Sequence, residues 1–281
     1  MERIKKALER ATSERNTQGA KTVPGTRRGG FGVAAHPATF TYTQTRIIKV
    51  PKARLRANRL ITGFDSGLEL DAYKMLRTNV LRAMKANQWT SLAITSSRPG
   101  EGKTLTAINL AISMAMEVNH TVLLVDFDLR KPTVHRYFDY VPANGISEYI
   151  TENIPLESIL FNPSVERLVV LPGNKSFTNS SEMLSLPKVV DLVDELKNRY
   201  PNRYVIFDLP PLMATDDALV FADYVDTFLL VIGDGETSRD ELERVREIMS
   251  RTNLLGTVLN KANEGQRREY YTQKLPDGVK A

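Results

Sequence analysis

The sequence contains no cysteine and only three histidines. Without cysteine the chain cannot form disulfides or a thiolate metal site. The histidines, His36, His120 and His135, are too scattered along the chain to suggest a metal cluster. A metalloenzyme is therefore not expected.

Long apolar runs are also missing. No stretch approaches the roughly 20 apolar residues that a membrane-spanning helix needs. The opening MERIKKALER lacks the apolar core of a secretory signal. These absences predict a cytoplasmic protein.

Negative charge is scarce at the beginning of the chain. Residues 1–60 contain 14 Lys and Arg against 3 Asp and Glu, a balance of +11, so the remainder of a chain of net charge +5 carries −6. Residues 17–46 are rich in Thr, Gly, Pro and Ala without apolar periodicity, which predicts a flexible arm. The arm is expected either to bind an anionic membrane surface or a partner, or to be a solvated tail.

The rest of the chain alternates short apolar runs with amphipathic stretches. Near-continuous apolar strands separated by helices predict an α/β fold, with a mostly parallel sheet and helices on both faces. The predicted strands are SLAITS (91–96), TVLLVDF (121–127), RLVVL (167–171), YVIFDL (204–209), TFLLVI (227–232) and LLGTVLN (254–260). The predicted helices cover about 68–86, 103–117, 182–199 and 239–251. Three regions are therefore expected: an arm (1–60), a nucleotide-binding domain (61–262) and a polar C-terminal tail (263–281).

A glycine-rich segment leads from the first predicted strand directly into a helix. Its residues are Ser97, Arg98, Pro99, Gly100, Glu101, Gly102, Lys103, Thr104 and Leu105. Glycines let the backbone approach phosphate oxygens, and a helix N-terminus presents unpaired N–H groups. We expect Lys103 to be an exposed charge directed at the phosphates and Thr104 to bind Mg²⁺. The general pattern G-x-x-x-x-G-K-[ST] has glycine where this chain has Ser97, and an NAD-type fold is disfavoured because G-x-G-x-x-G is absent.

Carboxylates follow two other predicted strands. Asp126 and Asp128 are two residues apart, so they are expected on the same side of their strand, at the edge of the sheet where ligands of α/β folds bind. A cation bound to phosphate would relieve their repulsion, although salt bridges to Arg130 or Lys131 could also do so. Asp208 ends another apolar strand, as does the Mg²⁺-binding aspartate of P-loop nucleotidases.

Three motifs together resemble one family. TSSRPGEGKT, LLVDFDLRKP and VIFDLPP are similar to the Walker A, Walker A′ and Walker B motifs of the bacterial tyrosine kinases that govern exopolysaccharide chain length and export. The resemblance covers about residues 60–271. The D-x-D-x-R-x-P element discriminates, because related partitioning ATPases usually carry a second lysine early in the phosphate loop, near Arg98 here.

The resemblance implies a P-loop fold, ATP with Mg²⁺, and a role for each of these residues. Lys103 would polarise the phosphates, while Thr104, Asp126, Asp128 and Asp208 would hold the metal and its waters. Of the D-x-D pair, Asp126 is the one expected to take the proton of the attacking tyrosine. The catalytic residues implied are Lys103, Asp126 and Asp128.

Further elements of the family have weaker counterparts. Asp71, Lys74 and Arg77 have the spacing of a motif that packs subunits into a ring. Asn260 resembles a position that contacts the nucleotide base, or is a residue of an ordinary turn. Tyr270 and Tyr271 are the tyrosines of the tail and the expected sites of autophosphorylation.

The predicted function is thus an ATP-dependent protein-tyrosine autokinase of exopolysaccharide export. The alternatives are a regulatory ATPase of the partitioning type and a non-catalytic nucleotide-binding export subunit. The resemblance implies a homo-oligomeric ring and a transmembrane polysaccharide co-polymerase as activator at the inner face of the membrane. No nucleic-acid partner is expected.

Overall fold

The strands form a single eight-stranded sheet. The computed structural model describes residues 45–61, 67–117, 119–200 and 202–262. The order of the strands across the sheet is β1-β4-β5-β3-β6-β2-β7-β8, and neighbours are parallel except for the antiparallel pair β4 and β5. The strands are β1 (Arg46–Ile47), β2 (Ser91–Ser96), β3 (Thr121–Asp126), β4 (Phe161–Asn162), β5 (Leu168–Leu171), β6 (Arg203–Asp208), β7 (Thr227–Gly233) and β8 (Leu254–Asn260).

Helices connect the strands. They are α1 (Lys52–Ala57), α2 (Leu68–Asn87), α3 (Lys103–Ala115), α4 (Val134–Tyr137), α5 (Ile146–Glu152), α6 (Leu156–Ile159), α7 (Ser180–Leu184), α8 (Pro187–Asn198), α9 (Asp217–Val220) and α10 (Arg239–Ile248). Two 3₁₀ turns follow α9 and α10, at Phe221–Tyr224 and Met249–Arg251. The helix α10 begins with a capping box, since the Ser238 and Glu241 side chains each accept the backbone N–H of the other residue.

Alternate residues of the central strands contribute to two apolar cores. Val122 and Leu124 of β3 pack in one core with α2 and α3, whereas Leu123 and Val125 pack in the other with α8. Because successive side chains of a strand point to opposite faces, a strand buried on both faces is apolar at almost every position. The mostly parallel sheet with helices on both faces is thus confirmed.

The structure differs from the predicted elements in several places, and the short helices α1, α4, α5, α6 and α9 were not predicted. The helix predicted over 182–199 is broken into α7 and α8, because Leu186 is extended and Pro187 takes the first position of α8. The strands β1 and β4 have only two residues each and carry too little periodicity to be predicted.

The boundary predicted at residue 60 is also placed differently. The segment 45–61 belongs to the domain, because β1 pairs with β4 and because Leu55, Leu60 and Ile61 are buried in the core with α2 and α3. Its apolar positions were hidden within a basic composition. Residues 1–44, and the tail predicted over 263–281, lie outside the described residues.

Candidate active site

The phosphate loop lies between β2 and α3, at the carboxyl edge of the sheet. Gly100 and Gly102 have φ of 92° and 93°, a backbone conformation that favours glycine. A Cβ on Gly102 would also lie 2.2 Å from Nδ2 of Asn260, whereas nothing lies within 4 Å of one on Gly100. Ser97 is not among the residues with positive φ, so the loop does not need glycine there.

Lys103 opens α3 and is held by carboxylates. Its Nζ lies 2.7 Å from Oδ2 of Asp128 and 3.4 Å from Oδ1 of Asp208, and its side chain is only 11% exposed. Burial lowers the pKa of Lys103, but the charges of Asp208 and Asp128 outweigh burial and hold that pKa above its usual range. The expectation of an exposed lysine is therefore wrong, because neighbouring strand ends supply two anions that pair with it.

Thr104 and Asp208 form the second contact of this cluster. The Thr104 hydroxyl donates to Oδ2 of Asp208 over 2.6 Å. Asp208 is completely buried, and burial raises its pKa although the nearby Lys103 charge and the Thr104 hydrogen bond lower it. The phosphate loop and the end of β6 are thereby joined directly.

Asp126 has a different environment from Asp128. It is the register partner of Asp208 on the neighbouring strand, and its Oδ2 accepts the N–H groups of Thr133 and Val134 over 2.9 and 3.0 Å. Its Oδ1 is buried without a hydrogen-bond partner. Burial, together with the Asp208 charge, raises the pKa of Asp126 to about 8. A carboxylate of this pKa can accept a proton near neutral pH.

The oxygen atoms of this cluster suit a hard divalent cation. Carboxylate and hydroxyl oxygens are the ligands that Mg²⁺ takes, usually together with water and substrate phosphates. Asp126 keeps one buried oxygen that no group of the structure satisfies. Across the described part of the chain, no three His, Asp or Glu side chains are arranged to hold a metal by themselves.

Other predicted nucleotide contacts line the same loop. Asn260, at the end of β8, donates its Nδ2 hydrogen to the Glu101 carbonyl over 2.8 Å, so its amide is beside the loop. Pro99 and Gly100 are exposed, whereas Leu105 is partly buried against the core.

The residues predicted to contact another subunit lie on α2. Lys74 and Asp71 are exposed and form an ion pair of 3.5 Å. Arg77 is only 18% exposed, and its guanidinium donates to the Ser113 carbonyl over 3.1 Å and pairs with Glu117 over 3.3 Å. Arg77 therefore already connects α2 to the end of α3 within the chain. Tyr270 and Tyr271 lie outside the described residues.

Sequence reasoning missed two buried acids at this edge. Asp217, at the start of α9, is completely buried and lies 3.9 Å from Nε of Arg130, which also donates to Ser180. Glu101 was expected only as a member of the loop, yet its carboxylate is buried. Asp217 is far in sequence from Arg130, and Glu101 is far from its donors Gly233 and Thr237, so local spacing could not have indicated these contacts.

The loop, the strand-end carboxylates and the sheet order define the class, a P-loop NTPase fold. Residues 90–254 match the family described as the AAA domain. Tyrosine-protein kinase YwqD of Bacillus subtilis is 32% identical over 220 residues, which are 78% of this chain and 92% of that protein. The chain belongs to the bacterial tyrosine kinase family.

Solved structures agree with this assignment. The kinase domain of the Escherichia coli tyrosine kinase ETK is 26% identical with a TM-score of 0.65, over 80% of this chain and 87% of that one. The septum site-determining protein MinD of Pyrococcus horikoshii, solved with Mg-ADP, is 20% identical with a TM-score of 0.52, over 63% and 72% of the two chains. That likeness shows the fold alone. The predicted kinase class is confirmed over the partitioning type.

Proposed function

We propose that this chain transfers the γ-phosphate of ATP to tyrosines of its own C-terminal tail, Tyr270 and Tyr271. The observation that carries the proposal is the buried cluster of Lys103, Asp128 and Asp208 beside Asp126, whose pKa is about 8. One cation and three carboxylates beside a phosphate loop suit phosphoryl transfer, in which positioning and charge neutralisation supply most of the catalysis.

The phosphate loop and the strand-end carboxylates have different proposed roles. Backbone N–H groups of the loop, with Lys103, bind the phosphates, so that Lys103 exchanges carboxylate partners for phosphate oxygens. Thr104, Asp128 and Asp208 would hold Mg²⁺ directly, and Asp126 would hold a water of the ion, so that its free oxygen can still accept a proton. The ion would neutralise charge on the transferring phosphate.

Asp126 is the proposed base. The tyrosine oxygen forms a bond to the γ-phosphorus, the bond from that phosphorus to the bridging oxygen of ADP breaks, and the phenolic proton moves to Asp126. Asp126 accepts this proton in its ionised form, and because burial and Asp208 raise its pKa to about 8, that form binds a proton more readily than an ordinary carboxylate does. Asp128, which pairs with Lys103 in the free protein and would bind Mg²⁺ directly, is less suited to this task.

The proposed setting is control of exopolysaccharide export at the inner face of the membrane. No helix among the described residues is long and apolar enough to cross a bilayer. We therefore assign recruitment to a transmembrane polysaccharide co-polymerase, aided by the balance of +11 in residues 1–60 at an anionic membrane surface. Subunits are proposed to form a ring through the exposed pair Asp71 and Lys74, with Arg77 supporting α2.

Incubation with Mg²⁺ and γ-labelled ATP tests the activity. The proposal expects label on tyrosine of the protein and none on a folded Lys103→Met variant. Release of free phosphate without labelled tyrosine would instead indicate a regulatory ATPase. Binding of ATP with neither product would indicate a non-catalytic export subunit.

A further inference from the structure

The Glu101 carboxylate lies inside the phosphate loop and accepts an unusual number of hydrogen bonds. Glu101 is 1% exposed. Its oxygens accept the Ser97 hydroxyl over 2.8 and 2.9 Å, the Arg98 N–H over 2.8 Å and the Gly233 N–H over 3.1 Å. The Thr237 hydroxyl donates to it as well. Four donors from two distant parts of the chain therefore converge on one side chain.

These donors come from the elements that border the loop. Gly233 is the last residue of β7, and Thr237 immediately precedes Ser238, the N-cap of α10. The Glu101 backbone carbonyl also accepts Nδ2 of Asn260 at the end of β8. Glu101 thus ties the phosphate loop to the ends of β7 and β8 and to the start of α10.

The arrangement favours an ionised Glu101. Burial raises its pKa, but hydrogen bonds from Thr237 and from the N–H groups of Arg98 and Gly233 outweigh burial and hold that pKa below its usual range. Carboxylates accept through two oxygens, whereas an amide offers one oxygen and turns N–H donors toward the others. A glutamine at this position would therefore leave donors unsatisfied.

The serine that departs from the general phosphate-loop pattern belongs to the same group. Ser97 is completely buried, donates to Glu101 and has its Oγ 3.0 Å from Oγ1 of Thr237. A glycine there would remove this donor. The buried Ser97 and Glu101 and the half-buried Thr237 form a single cluster, which we name the loop anchor.

We infer that Glu101 is a positioning residue for the nucleotide: through the loop anchor it holds the phosphate loop against the segment between β7 and α10. This inference rests on the proposed function of the loop. Glu101 acts through the backbone, since its carboxylate is occupied by donors of the protein. Losing these bonds lets the loop move relative to the strand ends, so the N–H groups no longer converge on phosphate.

Titration calorimetry with Mg-ADP tests the inference. Glu101→Gln should raise the dissociation constant of Mg-ADP about tenfold, since hydrogen bonds to a charged group are lost. Thr237→Val should weaken binding in the same direction, whereas Thr237→Ser, which keeps the hydroxyl, should bind almost as wild type does. The double variant Glu101→Gln/Thr237→Val should bind no more weakly than Glu101→Gln, because both changes break one cluster.

Glu148→Gln provides a matched control. Glu148 is also 1% exposed and accepts the Gly145 N–H and the Ser147 hydroxyl, but it lies on α5, outside the loop anchor. The variant Glu148→Gln should lower the melting temperature without changing the affinity for Mg-ADP. If Glu101→Gln only lowers the melting temperature, as this control does, Glu101 is merely structural and the inference is wrong. Failure of the wild-type protein to bind Mg-ADP would instead overturn the proposed function and the inference with it.

Discussion

Among single residues, Asp126 is completely buried, and one of its carboxyl oxygens has no hydrogen-bond partner. Its pKa of about 8 lies above the value of about 4 in an unfolded chain, so the folded protein binds the extra proton between these values. Because the native state binds more protons there, stability falls as the pH rises from about 4 toward 8. The ionised form of Asp126 is therefore destabilised in the free protein, mainly by burial and further by the charge of Asp208.

The substitution Asp126→Asn should remove the loss of stability that ionisation of this buried carboxyl causes. The amide oxygen can still accept the N–H groups of Thr133 and Val134, while the charge is gone. We expect the variant to gain at least about 1 kcal/mol of unfolding free energy at pH 8 and little at pH 4. Thermal melts across this range measure the effect. An equal shift at both pH values would show that the Asp126 charge is not the cause.

Lys103→Met should have the opposite effect on stability. Breaking a buried ion pair by removing one partner costs about 3 kcal/mol, because Asp128 and Asp208 are left without their cation. Without Lys103 the pKa of Asp208 rises further, so the loss should be large at pH 8 and smaller at pH 5, where the carboxyl is protonated. Adding Asp208→Asn should recover stability at pH 8. If Lys103→Met lowers the melting temperature by the same amount at pH 5 and at pH 8, the proposed buried cluster of charges is contradicted.

At the scale of elements, helix α2 combines an exposed pair with a buried connection. Arg77→Ala should lower the unfolding free energy by about 1 kcal/mol through its bonds to Ser113 and Glu117. Lys74→Glu, on the exposed side, should leave stability within about 0.5 kcal/mol. If α2 packs subunits into a ring, Lys74→Glu should change the sedimentation of the ATP-loaded protein and leave its melting temperature unchanged. A ring unaffected by Lys74→Glu would remove α2 from the interface.

The segment before α2 is a second element with a measurable role. Asn109 of α3 accepts the Ile61 N–H and donates to the Arg59 carbonyl, each over 3.0 Å. Leu55 and Leu60 are buried beside it, and each such side chain contributes about 1.5 to 3 kcal/mol. Removal of residues 1–61 should therefore lower the melting temperature strongly. Removal of residues 1–44 deletes none of these contacts and should not lower the melting temperature. Equal melting temperatures for the two truncated proteins would contradict the packing of this segment.

How far the sequence predicts these elements depends on the range of the interactions that form them. The strand β2, buried on both faces, is found at its predicted bounds because every residue in the run is apolar or small. The strand β8 is found at its predicted bounds as well, although its residues are half-buried or exposed. The break before Pro187 could have been predicted from the proline itself, but the apolar periodicity over 182–199 favoured one continuous helix. The contact of Lys103 with Asp128 joins residues 25 positions apart, and that of Glu101 with Thr237 joins residues 136 positions apart, so both depend on the assembled sheet.

At the scale of the whole molecule, the proposed phosphoryl transfer takes place at a single site. The phosphate loop is held from two directions, by Asp208 through Thr104 and by the loop anchor through Glu101. Asp126 stands at the adjacent strand end. The same molecule must also deliver tyrosines to this edge, and Tyr270 and Tyr271 are the proposed acceptors.

Mass spectrometry of phosphopeptides tests this central claim most directly. Wild type, Lys103→Met and Tyr270→Phe/Tyr271→Phe, each verified as folded, are incubated with Mg-ATP at a temperature well below their melting points. The account predicts phosphate on Tyr270 or Tyr271 of wild type, none on Lys103→Met, and loss of the major phosphopeptide in the double tyrosine variant. Wild-type protein that hydrolyses ATP while every tyrosine stays unmodified would contradict it.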